Sequence, residues 1–171
     1  MNVQLELLEM TPDLLLTNAI NPALRLLPPI MTTPQAKVIM LAIALQESRC
    51  IYRRQVKGPA RGFWQFEQGG GVRGVLAHLS SLRHIKNVLE ALDYPANTDA
   101  ENCYVAIEHN DILAAVFARL LLWTLPSAIP TTANAAWDTY VNAWRPGKPH
   151  PETWPVFFAQ AQEVVSTHQG D

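Results

Sequence analysis

The sequence has few of the features that mark disulfide-rich, membrane-spanning or metal-binding proteins. Its only two cysteines, Cys50 and Cys103, are too few for a disulfide framework, so we expect free thiols. The five histidines fall in no H-E-x-x-H or similar spacing. Neither a metal nor an organic cofactor is therefore predicted. No apolar run reaches the ~18 residues of a membrane-spanning helix, because Arg119 interrupts the longest candidate, Ile112 to Trp123.

Signals for secretion and for polyanion binding are also missing. The first ten residues, MNVQLELLEM, are acidic and have no basic region and no small-residue cleavage site, unlike a secretory signal. We therefore expect a soluble protein made in the cytoplasm. A formal net charge of −2 argues against a nucleic-acid partner. The one basic cluster, between Arg49 and Arg61, is expected to face water or the carboxylates of a ligand.

What the chain does contain is typical of a globular helical protein. Its 171 residues suffice for one compact domain, which we expect to span 1–171, and 49% of them are hydrophobic. No alternating strand pattern longer than four residues stands out. The predicted fold is mainly α, with at most a small β element in the region 50–67.

Apolar periodicity and helix-ending residues predict where the helices lie. In the polar segment 108–111, E-H-N-D, we expect a helix joint or an exposed turn, since the sequence shows no partner for it. The segment 68–71 is expected to be a flexible joint rather than a phosphate loop, and its glycines either let the backbone pass close to a bound glycan or permit a tight turn. Helices are predicted over 3–10, 13–20, 23–27, 72–80, 82–92, 102–125, 135–144 and 154–166.

One further helix is expected at the centre of the fold. Thr33 can cap its N-terminus, and Pro34 fits the first helical position because the missing N–H is not needed there. Every residue from Val38 to Leu45 is apolar, which predicts a helix buried on all sides. A carboxylate, Glu47, follows at the end of this buried helix.

Opposing influences act on the pKa of Glu47. Burial and the negative end of the helix dipole raise it, whereas nearby cations lower it. We favour a raised pKa, because burial follows directly from the apolar run and the reach of the cations does not. A carboxyl group that stays protonated near neutral pH can act as a general acid. The alternative is a glutamate that only caps the helix or pairs with a nearby arginine. The candidate cations are Arg49, Arg53, Arg54, Lys57 and Arg61.

The residues around Glu47 resemble a known family. The segment A-I-A-L-Q-E-S ends at Glu47-Ser48, and G-F-W-Q follows at 62–65, with Gln65 18 residues after Glu47. Both patterns and their spacing are similar to the E-S and G-L-M-Q motifs of lysozyme-like lytic transglycosylases. The resemblance implies that Glu47 is the catalytic acid and base and that Ser48 and Gln65 help to form the glycan cleft. Phe63 and Trp64 replace an aliphatic pair, and the indole could stack on a sugar face.

A second, looser similarity occurs late in the chain. These enzymes place a tyrosine of an A-Y-N-A-G motif beside the catalytic glutamate, and the segment from Tyr140 to Ala143, Y-V-N-A, is similar to it. Trp137 is a rival for the same place, since it lies one helical turn earlier on the same face. An aromatic stripe at helical spacing is also typical of a core.

The resemblance implies a lysozyme-like domain that cleaves the β-1,4 bond between N-acetylmuramic acid and N-acetylglucosamine in peptidoglycan. A hydrolytic muramidase requires a second carboxylate, and Glu67 is the only acidic residue near the motif. A lytic transglycosylase requires Glu47 alone. An inactive structural or wall-binding protein, or an unrelated helical scaffold with Glu47 exposed, is the remaining alternative. We expect a monomer, without a secretory signal, that a phage releases to the wall or carries in its virion.

Overall fold

The computed structural model describes residues 9–170, and its regular secondary structure is helical. The helix expected over 3–10 lies almost wholly outside these residues. The other predicted helices are found with shifted ends, except that the one expected over 102–125 is divided in two. They are α1 (Pro12–Leu15), continued by a π-helical turn (Leu16–Ile20) and α2 (Asn21–Arg25); a 3-10 turn (Pro29–Met31); α3 (Pro34–Ser48); a π-helical turn (Gln68–Val72) and α4 (Arg73–Ala77); α5 (Leu82–Ala91); α6 (Ala100–His109); α7 (Asp111–Trp123); α8 (Ala133–Trp144); and α9 (Trp154–Thr167).

The mainly α fold class is confirmed. In the described part of the chain there is no strand, and the β element expected in the region 50–67 consists of isolated antiparallel bridges. Arg61 forms both of them, with Arg54 and with Phe66. Across residues 9–170 no helix is long and apolar enough to cross a bilayer.

The central helix α3 forms as the sequence predicts. The Thr33 hydroxyl accepts a hydrogen bond from the Ala36 N–H at 3.0 Å, which satisfies one free donor of the first turn. Val38 is partly buried, and every residue from Ile39 to Leu45 is buried. The helix packs mainly against α9 and also contacts α7. It ends at Arg49, whose left-handed backbone (φ 57°) directs the chain away.

A second buried helix, α7, lies beside α3, and the single helix expected over 102–125 is wrong. Asn110 divides it into α6 and α7 because its backbone is extended (φ −129°). The Asn110 N–H still bonds to the Ala106 carbonyl at 2.9 Å, and its side-chain oxygen accepts from the Leu113 N–H at 3.0 Å. One residue therefore ends α6 and caps α7.

The residues around this joint hold the loop between α3 and the 68–72 turn, which we call the 49–67 loop. Arg53 donates two hydrogen bonds to Asp111, at 3.0 and 2.8 Å. Arg54 donates two to Glu108, at 2.9 and 3.1 Å, and Arg61 pairs with the same carboxylate. These contacts, those of Arg54 first, hold the pKa of Glu108 below its ordinary value. The expectation that the 108–111 segment has no partner is therefore wrong, and much of the basic cluster pairs within the protein.

Two glycines of this region are required by close packing. Gly62 has φ 73°, and a side chain there would come within 2.8 Å of the Ile107 side chain. A Cβ at Gly71 would come within 2.7 Å of the Phe66 ring. The segment 69–71 is thus part of a tight turn, one of the two alternatives left open by the sequence.

Candidate functional site

Glu47 lies in the last turn of α3 and is half-buried. Its Oε1 accepts a hydrogen bond from the hydroxyl of Tyr140, which is on α8 and 93 residues later in the chain. None of the ion pairs of residues 9–170 involves Glu47. The alternative in which Glu47 is paired with a nearby arginine is therefore not what the structure shows.

Burial has the largest effect on the pKa of Glu47. Desolvation raises its pKa from an ordinary 4.5 to about 7, and the Tyr140 hydrogen bond and the Arg49 charge oppose this less strongly. The predicted raised pKa and its cause are confirmed. Arg49 is the one cation of the cluster among these causes, and Arg53, Arg54 and Arg61 form ion pairs with carboxylates of α6 and α7.

Aromatic rings fix the position of Tyr140. Trp154 stacks on its ring at a centroid distance of 5.3 Å, with 5° between the planes. Trp137 lies 5.4 Å from Tyr140 and 5.7 Å from Trp154, in tilted and edge-on arrangements. The Tyr140 side chain is only 3% exposed, whereas Trp137 is half-buried. Tyr140, rather than Trp137, thus supplies the polar atom beside Glu47.

Gln46 fixes the end of α3 from the other side. Its Nε2 donates to the His150 carbonyl at 3.1 Å, and its Oε1 accepts from the Thr153 hydroxyl at 3.0 Å. These bonds tie the residue next to Glu47 to the turn that precedes α9. Neither Gln46 nor Trp154 was predicted as a site residue, because their partners are remote in sequence. The local signals for Gln46 are its polarity at the end of an apolar run and its place in the A-I-A-L-Q-E-S segment.

Ser48 is buried, and its hydroxyl serves the backbone. It donates to the Ala44 carbonyl at 3.0 Å and accepts from the Cys50 N–H at 3.2 Å. These bonds shape the left-handed exit of the chain at Arg49 and Cys50. Ser48 thus adjoins Glu47 in the chain while its polar group faces the helix end.

The predicted 62–65 segment splits into a core part and a half-exposed part. Trp64 has no exposed surface, and its indole N–H donates to the Met40 carbonyl at 2.8 Å. Full burial leaves no ring face for a sugar, so the expectation of stacking by Trp64 is wrong. Phe63 is equally buried, with the Arg53 guanidinium 4.5 Å from its ring centre. Both aromatic residues fill the core beneath the loop.

Gln65 remains accessible at the end of this segment. It is half-buried and has a left-handed backbone (φ 51°), and its side-chain amide donates to the Gly62 carbonyl at 2.8 Å. Trp144 connects the segment to α8, since its indole N–H donates to the Trp64 carbonyl at 2.9 Å. The Trp144 ring also lies 6.2 Å from that of Tyr140. The structure thus links the 62–65 segment to the helix that carries the partner of Glu47.

Two cavities lie elsewhere in the molecule. Their volumes are about 580 and 220 Å³, and both are formed partly by the loop 125–129. Neither is lined by Glu47, Gln65 or Tyr140. The described residues also contain no cluster of three histidines, cysteines or carboxylates that could hold a metal.

With its pKa raised to about 7, the Glu47 carboxyl group titrates near neutral pH, so it can donate a proton and later accept one. The second acidic residue considered, Glu67, is exposed and directly precedes the 68–72 turn. No protein-family model, curated protein or solved structure matches this chain.

Proposed function

We propose that the protein is a lytic transglycosylase that cleaves the β-1,4 bond between N-acetylmuramic acid and N-acetylglucosamine in peptidoglycan. The observation that carries the proposal is the Glu47 carboxyl group, with its pKa near 7 and its hydrogen bond from Tyr140. The E-S and G-x-x-Q resemblance names the substrate class, and the single raised carboxyl group supports the type of chemistry.

In this reaction Glu47 acts twice. The protonated carboxyl group donates its proton to the glycosidic oxygen as the bond to C1 of the muramic residue breaks. The resulting carboxylate then removes the proton of the C6 hydroxyl of the same sugar, whose oxygen attacks C1. The product is a 1,6-anhydro ring, no water is consumed, and Glu47 ends protonated as it began. Tyr140 holds the carboxyl group in place and limits the rise of its pKa.

A single carboxylate suits this route better than hydrolysis. Activation of water by a partner carboxylate requires the two groups to lie about 5 to 9.5 Å apart across the bond. Glu67 is exposed and has no side-chain hydrogen bond to any residue of the described chain that would hold it in such a position. An internal hydroxyl has an effective concentration that bulk water does not reach. Glu67→Gln is therefore expected to change the rate only modestly.

A catalytically inactive wall-binding protein is the second candidate. It is favoured by one observation, which is that neither described cavity is lined by Glu47. Such a protein would bind peptidoglycan equally well with Glu47 or Gln at this position.

Zymography on purified peptidoglycan separates the two candidates. We expect clearing by the wild type and a loss of at least about a hundredfold in Glu47→Gln, the range that general acid–base groups contribute. Glu101→Gln, which removes an exposed carboxylate of α6, is the matched control and should clear normally. Absence of clearing by the folded wild type would support the inactive candidate.

Mass spectrometry of the products tests the mechanism. We expect fragments that end in 1,6-anhydro-N-acetylmuramic acid, lighter by one water than hydrolytic fragments. Reducing ends, together with an inactive Glu67→Gln variant, would identify a two-carboxylate muramidase instead.

A further inference from the structure

The larger cavity, of about 580 Å³, lies near the first turn of α3. Its wall is mostly apolar, and its uncharged polar lining residues are Thr33, Gln35, Ser80, Ser127 and Thr131. Ile30, on its rim, is 73% exposed, so the cavity opens to solvent. The volume falls within the range of about 300 to 1,000 Å³ that is usual for small-molecule sites.

Arg119 lines this cavity and is unusual in its environment. It belongs to the buried helix α7 and is only 3% exposed. Its Nε donates to the Met31 carbonyl at 2.9 Å, and its guanidinium lies 5.5 Å from the Trp123 ring. Nη1 is buried and has no hydrogen-bond partner among residues 9–170. Part of the fork of five N–H donors is thus unused.

An unpaired buried cation is costly, and no carboxylate within residues 9–170 forms an ion pair with this one. Burial lowers the pKa of Arg119 to about 10, which reports the cost of holding the charge in this position. Among the described residues that line the cavity there is no aspartate or glutamate, and Arg119 is the only charged one. A polar or apolar side chain at this position would avoid the cost. The unused donors therefore fit an anion that comes from outside the chain.

We propose that this cavity binds a small organic carboxylate with an apolar body, whose carboxylate pairs with Arg119. A carboxylate matches the planar fork of a guanidinium through two parallel hydrogen bonds. A monoanion balances the one cation, whereas a phosphate dianion would leave excess charge in a mostly apolar cavity. The apolar body would lie against Leu122, Trp123 and Ile129.

This site is separate from the proposed catalytic site. Thr33 and Glu47 lie at opposite ends of α3, and 14 residues of helix separate them by about 21 Å. The proposal that Arg119 binds a ligand can therefore be tested independently of the reaction proposed for Glu47.

The test uses hexanoate as the probe and hexanamide as its uncharged match. Calorimetric titration of the wild type is expected to give at least about tenfold tighter binding of hexanoate, the difference that a charge-assisted hydrogen bond provides. Arg119→Met should bind both ligands equally and weakly. Arg73→Met, which removes an exposed cation of α4, is the control and should bind hexanoate like the wild type.

A second measurement needs no variant of Arg119. In a nitrogen–proton correlation spectrum of the wild type, hexanoate should shift the Trp123 indole N–H and leave the Trp137 and Trp154 indoles unchanged. Equal binding of hexanoate and hexanamide, no binding of hexanoate, or shifts confined to other indoles would overturn the proposal. Normal hexanoate binding by Glu47→Gln would show that the site is independent of peptidoglycan cleavage.

Discussion

The carboxyl group of Glu47 titrates near neutrality because burial outweighs one hydrogen bond and one cation. Such a group destabilises the folded state at high pH, where it must ionise in a poorly solvated position. Selection for activity can retain a group of this kind even though a neutral residue would stabilise the fold. The same property that suits Glu47 for acid catalysis therefore has a measurable cost.

Glu47→Gln should remove this cost. The folded protein binds the Glu47 proton more tightly than the unfolded chain does. Proton binding at Glu47 therefore stabilises the fold fully below the unfolded pKa of 4.5, and this stabilisation is lost as pH rises through about 7. At about 1.36 kcal/mol per pKa unit, the loss is roughly 3 kcal/mol at alkaline pH. We expect Glu47→Gln to gain stability relative to the wild type between about pH 5 and about pH 8, measured by urea unfolding. A constant difference across this range would contradict the raised pKa.

Tyr140→Phe should change the pH profile of the reaction. The Tyr140 hydrogen bond lowers the pKa of Glu47, so its removal raises that pKa further. The alkaline limb of the pH profile of kcat/KM should move to higher pH, because the general acid then stays protonated up to a higher pH. The maximal value of kcat/KM should fall by roughly ten- to a thousandfold, as expected when one positioned hydrogen-bond donor is lost.

Trp137→Phe is the control for this measurement, since it changes a neighbouring ring and keeps the Tyr140 hydroxyl. Its alkaline limb should stay in place. A limb that moves in Trp137→Phe and not in Tyr140→Phe would assign the role to the other residue.

Local sequence predicted some of these residues and not others, for a physical reason. The burial of Glu47 follows from the apolar run before it, and its raised pKa could be predicted from that alone. Trp64 faces the core rather than a sugar because its indole N–H donates a hydrogen bond to the Met40 carbonyl, which lies 24 residues earlier in the chain. Periodicity and motif spacing do not contain that contact.

Helix α6 and the 49–67 loop stabilise each other through Glu108. Its carboxylate forms ion pairs with Arg54 and Arg61, and these pairs attach the loop to α6. Asp111 supports the same loop from the first turn of α7 by pairing with Arg53. The loop that carries Gln65 is thus positioned by the joint between two helices.

Glu108→Gln should loosen this loop while the helices remain folded. We expect a loss of roughly 1 to 2 kcal/mol in global stability, since the pairs are partly exposed. Hydrogen exchange should accelerate most at the Gly62 N–H, which bonds to the Arg53 carbonyl at 2.7 Å. Glu101→Gln on the same helix should leave this exchange unchanged. Equal protection in the two variants would show that the ion pairs do not order the loop.

The division at Asn110 shows what a helical pattern leaves undetermined. Apolar spacing continues from 102 to 125, so the pattern favours one helix. The break depends on an asparagine that can bond to the backbone in place of the next helical turn. The polar character of 108–111 indicated a joint, whereas the arginines that pair with it lie about 50 residues earlier in the sequence.

Both cysteines report on the integrity of the whole fold. Cys50 and Cys103 are free, as predicted, and fully buried. Burial raises the pKa of Cys50 to about 12 and that of Cys103 to about 11. A thiol of this kind is unreactive because the thiolate is the nucleophile.

We therefore expect native protein to resist a chromogenic disulfide reagent at about pH 8 and to release two equivalents once guanidinium unfolds it. Rapid modification of either thiol without denaturant would contradict their burial. The same assay can confirm that Glu47→Gln, Tyr140→Phe and Arg119→Met remain folded.

The attachment of Glu47 to Tyr140 has a consequence for the order of events during synthesis. Glu47 leaves the ribosome 93 residues before its partner, which is roughly 5 to 20 s at usual rates of elongation. Until α8 and α9 are made and have packed against α3, Glu47 lacks the burial that raises its pKa. The nascent chain therefore has an ordinary surface carboxylate, and the acid appears only after α8 and α9 have been made and have packed against α3.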